Sequence, residues 1–570
     1  MPAWYEGPVP ANSYRALFKW GDPLACKHPN RGLVELMRET FELTEDDLAK
    51  PRWLGLEPVE IEIPSRLTPE QIASLEKTVG TENVRLDTRS RIKASYGKGM
   101  IDELRLRRKI VENLPEAVIC PRTATEVQVL INWCVDQRLP LYVYGGGSSV
   151  TRGMEAVKGG ITLDLSAHLN RLVSFNETDQ TITVESGMSG PALEDALNHA
   201  PERFGAKRRY TCGHFPQSFE YSSVGGWAVT RGAGQNSTYY GKIEDIVIAQ
   251  QMVTPAGIVK TLPQPRAAAG PDLDQILMGS EGAFGVLTSV TLRVFRLMPK
   301  NRRSFSFFFK SWQEALDACR EMLQCEAGLP SVFRLSDPEE TDVALRMYNL
   351  YGAPADSALQ ALGYMPMQRC LLLGTADGAR GYTGSVARAV RRIASRRRAL
   401  DVSLLPIVSK WEHSRFRDPY LREDLLDYGV LIDTLECGVT WAQMEEVHAR
   451  VRALIKARPR TVCMTHLSHA YAQGGNLYFI FIARMDELKE YLDLQYSILE
   501  AICTSGAAIS HHHGVGKQTA PWLEGCIGGQ ELVVIRALKR HFDPLNLMNP
   551  GGTLGLDMSP AQAERRWGMD

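Results

Sequence analysis

Alternation of apolar and polar positions divides the 570-residue chain into elements. Thr68–Val79 and Ile101–Val111 carry helical spacing in a first region rich in Trp, Pro and charge. From about residue 113 the texture changes. Ala117–Cys120 is a short apolar run stopped by Pro121, and Thr125–Val135 has a helical stripe with Glu126 in its first turn. Leu139–Tyr144, Ile161–Leu165, Thr181–Val184 and Ile246–Thr254 read as strands. Further on, helical patterns (Trp312–Gln324, Tyr382–Arg398, Met444–Lys456) alternate with β-rich runs (Ser304–Phe309, Leu371–Leu373, Leu477–Ala483). A last helix spans Leu532–Phe542. This mixture defines an α+β protein. The divisions expected are a mostly helical region at 1–112, a domain at 113–298, a second α/β domain at 299–510 and a C-terminal segment at 511–570.

Composition narrows the function. Net charge is −1, with 44% apolar and 23% charged residues. A nucleic-acid binder would carry a basic excess, so none is expected as partner. The eleven cysteines show no CxxC spacing. They read as buried small hydrophobes in a reducing, cytoplasmic setting, not as a disulfide or zinc framework. No basic-then-apolar leader is read at the N-terminus, and no uncharged run reaches the roughly 20 residues that span a bilayer. The basic stretches Arg105–Lys109 and Arg388–Arg398 read as solvated helix faces, with peripheral membrane contact as the other reading.

Three glycine-rich segments carry the first chemistry. In Val143, Tyr144, Gly145, Gly146, Gly147, Ser148 and Ser149, glycines after a strand let backbone N–H groups approach an anion. The spacing is neither a nicotinamide GxGxxG nor a P-loop. The second segment, 213–234, supplies Gln217, Ser218, Ser222, Ser223, Gly225, Gly226, Thr230, Arg231, Gly232 and Ala233. Arg231 is the residue there suited to a phosphate. The third, 278–287, supplies Glu281, Gly282, Gly285, Val286 and Leu287 before a β run.

In this order, the three segments resemble the PCMH-type FAD-binding domain of the vanillyl-alcohol-oxidase family. The resemblance implies FAD with its pyrophosphate on the glycine loop. That loop holds no histidine or cysteine for a flavin bond, so the cofactor is expected to be non-covalent.

Outside them lies Ser510-His511-His512-His513-Gly514-Val515-Gly516-Lys517. Consecutive strand residues alternate faces, so three histidines do not readily share one ion. A metal site built from His466, His469 and the triplet is one reading, proton transfer and hydrogen bonding beside a flavin suit the imidazoles equally well, and no metal is expected. Tyr478 opens an aromatic β run, and Arg422 stands among acids, where local ion pairing is the plain reading.

With Gly213-His214, Ser222–Arg231, Tyr240–Asp245, Gly279–Gly282 and Ser510–Lys517, the chain from about 15 to 552 is similar to the alkyldihydroxyacetonephosphate synthase family. The resemblance implies a cap domain at 299–510 that binds substrate, and a C-terminal segment returning to the flavin. It implies exchange of the acyl chain of an acyl-dihydroxyacetone phosphate for a long-chain fatty alcohol through an adduct at flavin N5, in a homodimer. It places the acid/base tyrosine at Tyr478, assisted by His511, His512 and His513, the substrate phosphate at Arg422, and a further functional arginine at Arg334. The alternative is an FAD-dependent D-2-hydroxy-acid dehydrogenase of the D-lactate or glycolate type. Its His-x6-His pair becomes Tyr471 and Tyr478 here, and its glutamate becomes His512.

Overall fold

The computed structural model describes residues 4–265 and 267–566. Thr68 caps Pro69–Val79 through a reciprocal side-chain pair with Gln71. Ala117–Ile119, Ile161–Asp164 and Leu141–Tyr144 pair in parallel, with Val84–Arg85 antiparallel on one edge. Both faces of this sheet are covered, so Ala117–Ile119 is buried throughout, and Thr162 and Asp164 are buried along with Ile161 and Leu163. A second, antiparallel sheet joins 172–176, 181–185, 286–293, 247–254 and 257–260 in that order.

Seven antiparallel strands form the third large sheet, in the order 400–401, 303–309, 370–376, 332–336, 461–468, 474–484 and 430–440. Helices Trp312–Gln324, Arg380–Arg396 and Met444–Ala457 carry their apolar stripes into one core with Phe305, Phe333, Phe479 and Phe481. On the opposite face Ile482, Met464, Phe308 and Leu373 pack against other helices, and the stretch carrying Glu436, Tyr478 and His466 is the part left free to build a site.

The C-terminal segment returns to the parallel sheet. The Leu141 N–H donates to the Leu547 carbonyl at 2.8 Å, and Asn549 N–H donates back to Leu141 at 2.8 Å.

Two sequence readings are corrected by tertiary packing. The helix beginning at Met100 ends at Arg107, and its arginines are buried, not solvated. Arg107 pairs with Glu103 at 2.8 Å and Asp427 at 2.5 Å, and Arg105 with Glu155 at 3.0 Å. Glu103 lies one helical turn from Arg107, but Asp427 and Glu155 are remote in sequence, so spacing alone could not reveal them. In contrast, Arg391, Arg396 and Arg397 do stay half-exposed on their helix. The cysteines are mostly buried. Cys503 and Cys526, on neighbouring helices, bring their sulfurs to 2.8 Å, a pairing no sequence spacing signalled. Among the described residues, no helix is long and apolar enough to cross a membrane.

Candidate functional site

A cavity of about 400 Å³ lies between the glycine-rich segments and the free face of the seven-stranded sheet. Val143, Gly145, Gly146, Gly147, Ser148 and Ser149 form one wall. Gly147 needs its positive φ of 69° for the turn. A Cβ on Gly146 would sit 2.2 Å from the Tyr221 carbonyl oxygen, and one on Gly145 2.3 Å from Ser223 Oγ. Only glycine lets the loop press this closely against 221–223. The N–H groups of Gly146, Gly147, Ser148 and Ser149 donate to no acceptor among the described residues, so they remain for an anion.

The second segment contributes Gln217, Ser218, Ser223, Gly225, Gly226, Thr230, Gly232 and Ala233 to the lining, and the third contributes Glu281, Gly282, Gly285 and Leu287. Side walls of small residues plus a row of free amides fit a long cofactor with a pyrophosphate in its middle. FAD would lie on the amides of 146–149, with the 217–233 segment along its length.

Other expected contacts lie outside the lining. The Tyr144 ring is buried with Ala94, Val118 and Met154. Ser222 Oγ accepts from Trp227 Nε1 at 2.8 Å, and Val286 belongs to the core behind the parallel sheet. Arg231 extends to Gln275, donating to its carbonyl at 3.2 Å and its side-chain oxygen at 2.9 Å. The one cation expected to meet a phosphate in this segment thus turns away from the cavity.

On the sheet side, register does the positioning. Glu436, Tyr478 and His466 are direct partners across three strands, so they share a face. Thr434, two residues from Glu436, joins them, and the Tyr478 hydroxyl donates to Thr434 Oγ1 at 3.0 Å. The Tyr478 ring stacks on His466 at 4.9 Å and meets His512 at 5.9 Å and His513 at 5.5 Å. Burial pushes the phenol up to about 12, the Thr434 bond opposes this, and Glu436 and Asp433 add to the rise. No histidine bonds to this hydroxyl, so its acceptor in the resting site is a threonine, contrary to the histidine assistance expected.

His512 and His513 line the cavity. His511 does not; its Nε2 lies 3.2 Å from the Tyr471 hydroxyl. Burial lowers the affinity of all three rings for a proton, and neighbouring histidines add to this for His511 and His512. His469, at a positive φ of 46° and held by Ser237 at 3.0 Å, is pushed down to about 3, first by burial. All stay neutral at pH 7.

Arg422 lines the cavity, but its ion partner is Glu103, with Nε at 3.0 Å from Oε2, not the acids beside it in sequence. Nη1 donates to the Lys98 carbonyl at 2.8 Å and the guanidinium lies over the Trp20 ring at 5.3 Å, while Nη2 is buried with no hydrogen-bond partner among the described residues. An unpaired buried guanidinium edge costs stability and marks a place for an anion. Arg334 pairs with Glu340, which bonds His466 Nδ1 at 3.1 Å. Burial alone would raise Glu340; His466 and Arg334 outweigh it and hold the carboxyl at about 2.

Sequence reasoning missed Glu436. Alternation over 430–440, with Ile432, Thr434 and Glu436 on one face, was the available signal. Glu436 Oε1 accepts from Ser510 Oγ at 2.8 Å and from the N–H groups of His511, His512 and His513 at 3.0, 3.1 and 3.1 Å. One carboxylate oxygen and two ring nitrogens of Glu436, His511 and His512 lie within 4.8 Å of one another, close enough to hold a metal ion. The carboxylate is already spent on backbone donors, which weakens it as a ligand.

Comparison with known proteins agrees with this geometry. Residues 115–262 match the FAD binding domain, and residues 298–553 match the C-terminal domain of FAD linked oxidases. The chain is of the flavoprotein class, carrying both of these domains with the FAD-binding one of PCMH type, and FAD is its cofactor. Within that class it is similar to an alkyldihydroxyacetonephosphate synthase of Dictyostelium discoideum, with 27% identity over 87% of this chain and 82% of the relative. It is also 27% identical to an uncharacterized FAD-linked oxidoreductase of Escherichia coli (strain K12), over 77% of this chain and 88% of the other. A solved alkyldihydroxyacetonephosphate synthase superposes with a TM-score of 0.77 at 23% identity, covering 94% of this chain and 99% of that one, a likeness of fold.

Proposed function

We propose that this FAD enzyme exchanges the acyl chain of an acyl-dihydroxyacetone phosphate for a long-chain fatty alcohol, forming an ether-lipid precursor. The observation that carries the reading is the unpaired Nη2 of Arg422 in the same cavity as the buried phenol of Tyr478 and the amide cradle.

Held non-covalently on the amides of 146–149, FAD would supply the electronic chemistry at the reacting carbon, with no net redox change. Arg422 takes the substrate phosphate, a dianion matched to a planar guanidinium. Arg334, fixed by Glu340, holds a second polar group of the substrate. Trp20, Met154, Trp411, Ile432 and Ile480 give apolar walls for the two alkyl chains. Tyr478 moves the proton on the carbon beside the ketone, with Thr434 as its resting partner. The neutral rings of His512 and His513 accept the proton given up by the entering alcohol.

The competing outcome is oxidation of a D-2-hydroxy acid, the chemistry of other FAD-linked relatives. Incubating the loaded protein with palmitoyl-dihydroxyacetone phosphate and hexadecanol, and separately with D-lactate or glycolate and a redox dye, separates the two. The enzyme works as a homodimer in this reading, in the cytoplasm with peripheral membrane contact, since both substrates are amphiphilic.

A further inference from the structure

The side chains of the histidine segment meet Tyr471 and Tyr478, and Lys242 Nζ donates to the His511 carbonyl at 2.7 Å, but none of these contacts fixes the N–H groups of 511–516. The segment's backbone is instead gathered by two carboxylates from different parts of the molecule. Glu436, from the seven-stranded sheet, accepts the three successive N–H groups of His511, His512 and His513. Glu281, from the third glycine-rich turn, accepts Val515 N–H at 2.6 Å and Gly516 N–H at 2.7 Å. Both carboxylates are buried. Glu281 itself adopts a positive φ of 49°, fixed by its N–H donating to the Val229 carbonyl at 2.9 Å.

Three consecutive amides converging on one carboxylate make a concave nest, and a nest fixes the direction of the side chains around it. Charge-assisted bonds of this kind are about twice as strong as neutral ones. The residue that anchors the nest is the direct strand partner of Tyr478. One rigid pair of strands therefore sets both the phenol and the backbone that presents His512 and His513 to it. The second anchor ties the same segment to the wall of the flavin cradle.

We infer that Glu436 is a positioning residue, and that with Glu281 it forms a two-point sling aligning the histidines with Tyr478 across the flavin site. This rests on the proposed reaction only for its kinetic consequence. The sling itself is testable without substrate.

The experiment uses FAD-loaded protein with Glu436→Gln, Glu436→Asp and Glu281→Gln. Glutamine keeps the shape but replaces one acceptor oxygen with a donor and removes the charge. Amide hydrogen exchange, read on peptides spanning 505–520, should quicken at least tenfold over 511–513 in Glu436→Gln while 515–516 stays protected. Glu281→Gln should show the reverse pattern. In ether formation, Glu436→Gln should lower kcat at least tenfold with KM within about twofold. Glu436→Asp, which keeps the charge, should recover a third or more of kcat. Unchanged exchange over 511–513 would overturn the sling. Faster exchange with kcat within threefold of the parent, or a raised KM with kcat intact, would overturn the positioning role. If the parent protein makes no ether, the substrate reading fails, and the exchange pattern still decides the sling.

Discussion

Tyr478 and Glu436 stand directly opposite each other on adjacent antiparallel strands, one aiming a phenol into the cavity and the other gathering the backbone of the histidine segment. A sheet transmits this pairing rigidly, because a shift of one residue would turn both side chains to the other face.

Replacing Tyr478 by Phe removes one hydroxyl, donated to Thr434, and leaves the ring stacked on His466. Turnover should fall by about a hundredfold or more, the range lost with a general acid–base group. The flavin spectrum should match the parent. Turnover within a few fold of the parent would remove the tyrosine from proton transfer.

Arg422 holds the buried Glu103 and faces the cavity with Nη2. Arg422→Lys keeps a charge for Glu103 but loses the planar fork. It should raise KM for the phosphorylated substrate about tenfold with a smaller effect on kcat. Arg422→Ala leaves Glu103 with Arg107 alone at 2.8 Å and should destabilise by less than the about 3–5 kcal/mol that an uncompensated buried charge costs. Thermal unfolding and steady-state kinetics separate these effects.

Much of the scaffold was legible in the chain. Trp312–Gln324 is a helix with the bounds its stripe gives, since its apolar face packs where the pattern points. The glycine loop was legible too, because glycines after a strand have few other uses. The ion network of Arg105, Arg107 and Arg422 was not. Charge on a helix looks the same whether solvated or buried, and the partners Glu155 and Asp427 lie far away in sequence. Glu436 was hidden for a similar reason: a carboxylate that serves backbone N–H groups leaves no side-chain motif. Arg231 misled because its neighbours are cofactor-lining while its own side chain turns outward.

Gly146→Ala should cut FAD affinity at least tenfold, since its Cβ would meet the Tyr221 carbonyl at 2.2 Å and displace the cradle. Gly381→Ala is the contrast: it lies in the helix Arg380–Arg396, and a Cβ there meets nothing within 4 Å. It should leave flavin loading intact and add up to about 1 kcal/mol of stability through helix propensity. Flavin fluorescence titration and urea midpoints read both. Equal flavin loading in the two variants would contradict the cradle.

Acid should destabilise the protein. His214, His466, His469, His511, His512 and His513 all hold protons less readily when folded, chiefly through burial. The unfolded chain therefore binds more protons below about pH 6.5, and each such ring weakens the fold by up to about 1.4 kcal/mol per pH unit there. Asp102, Asp424 and Asp433, raised to about 6 first by burial, act in the opposite sense as pH falls below 6. Asp342 and Glu281, also raised chiefly by burial, act in the same sense, and the six rings outweigh the five carboxyls between pH 6.5 and 5. The urea midpoint should be lower at pH 5 than at pH 7; an equal or higher midpoint would contradict neutral buried histidines.

The most direct measurement follows labelled hexadecanol and palmitoyl-dihydroxyacetone phosphate over the FAD-loaded protein, counting ether formed, palmitate released and dye reduced. The account predicts one palmitate released for each labelled ether, with no dye reduction. Absence of ether, together with dye reduction by a D-2-hydroxy acid, would contradict it.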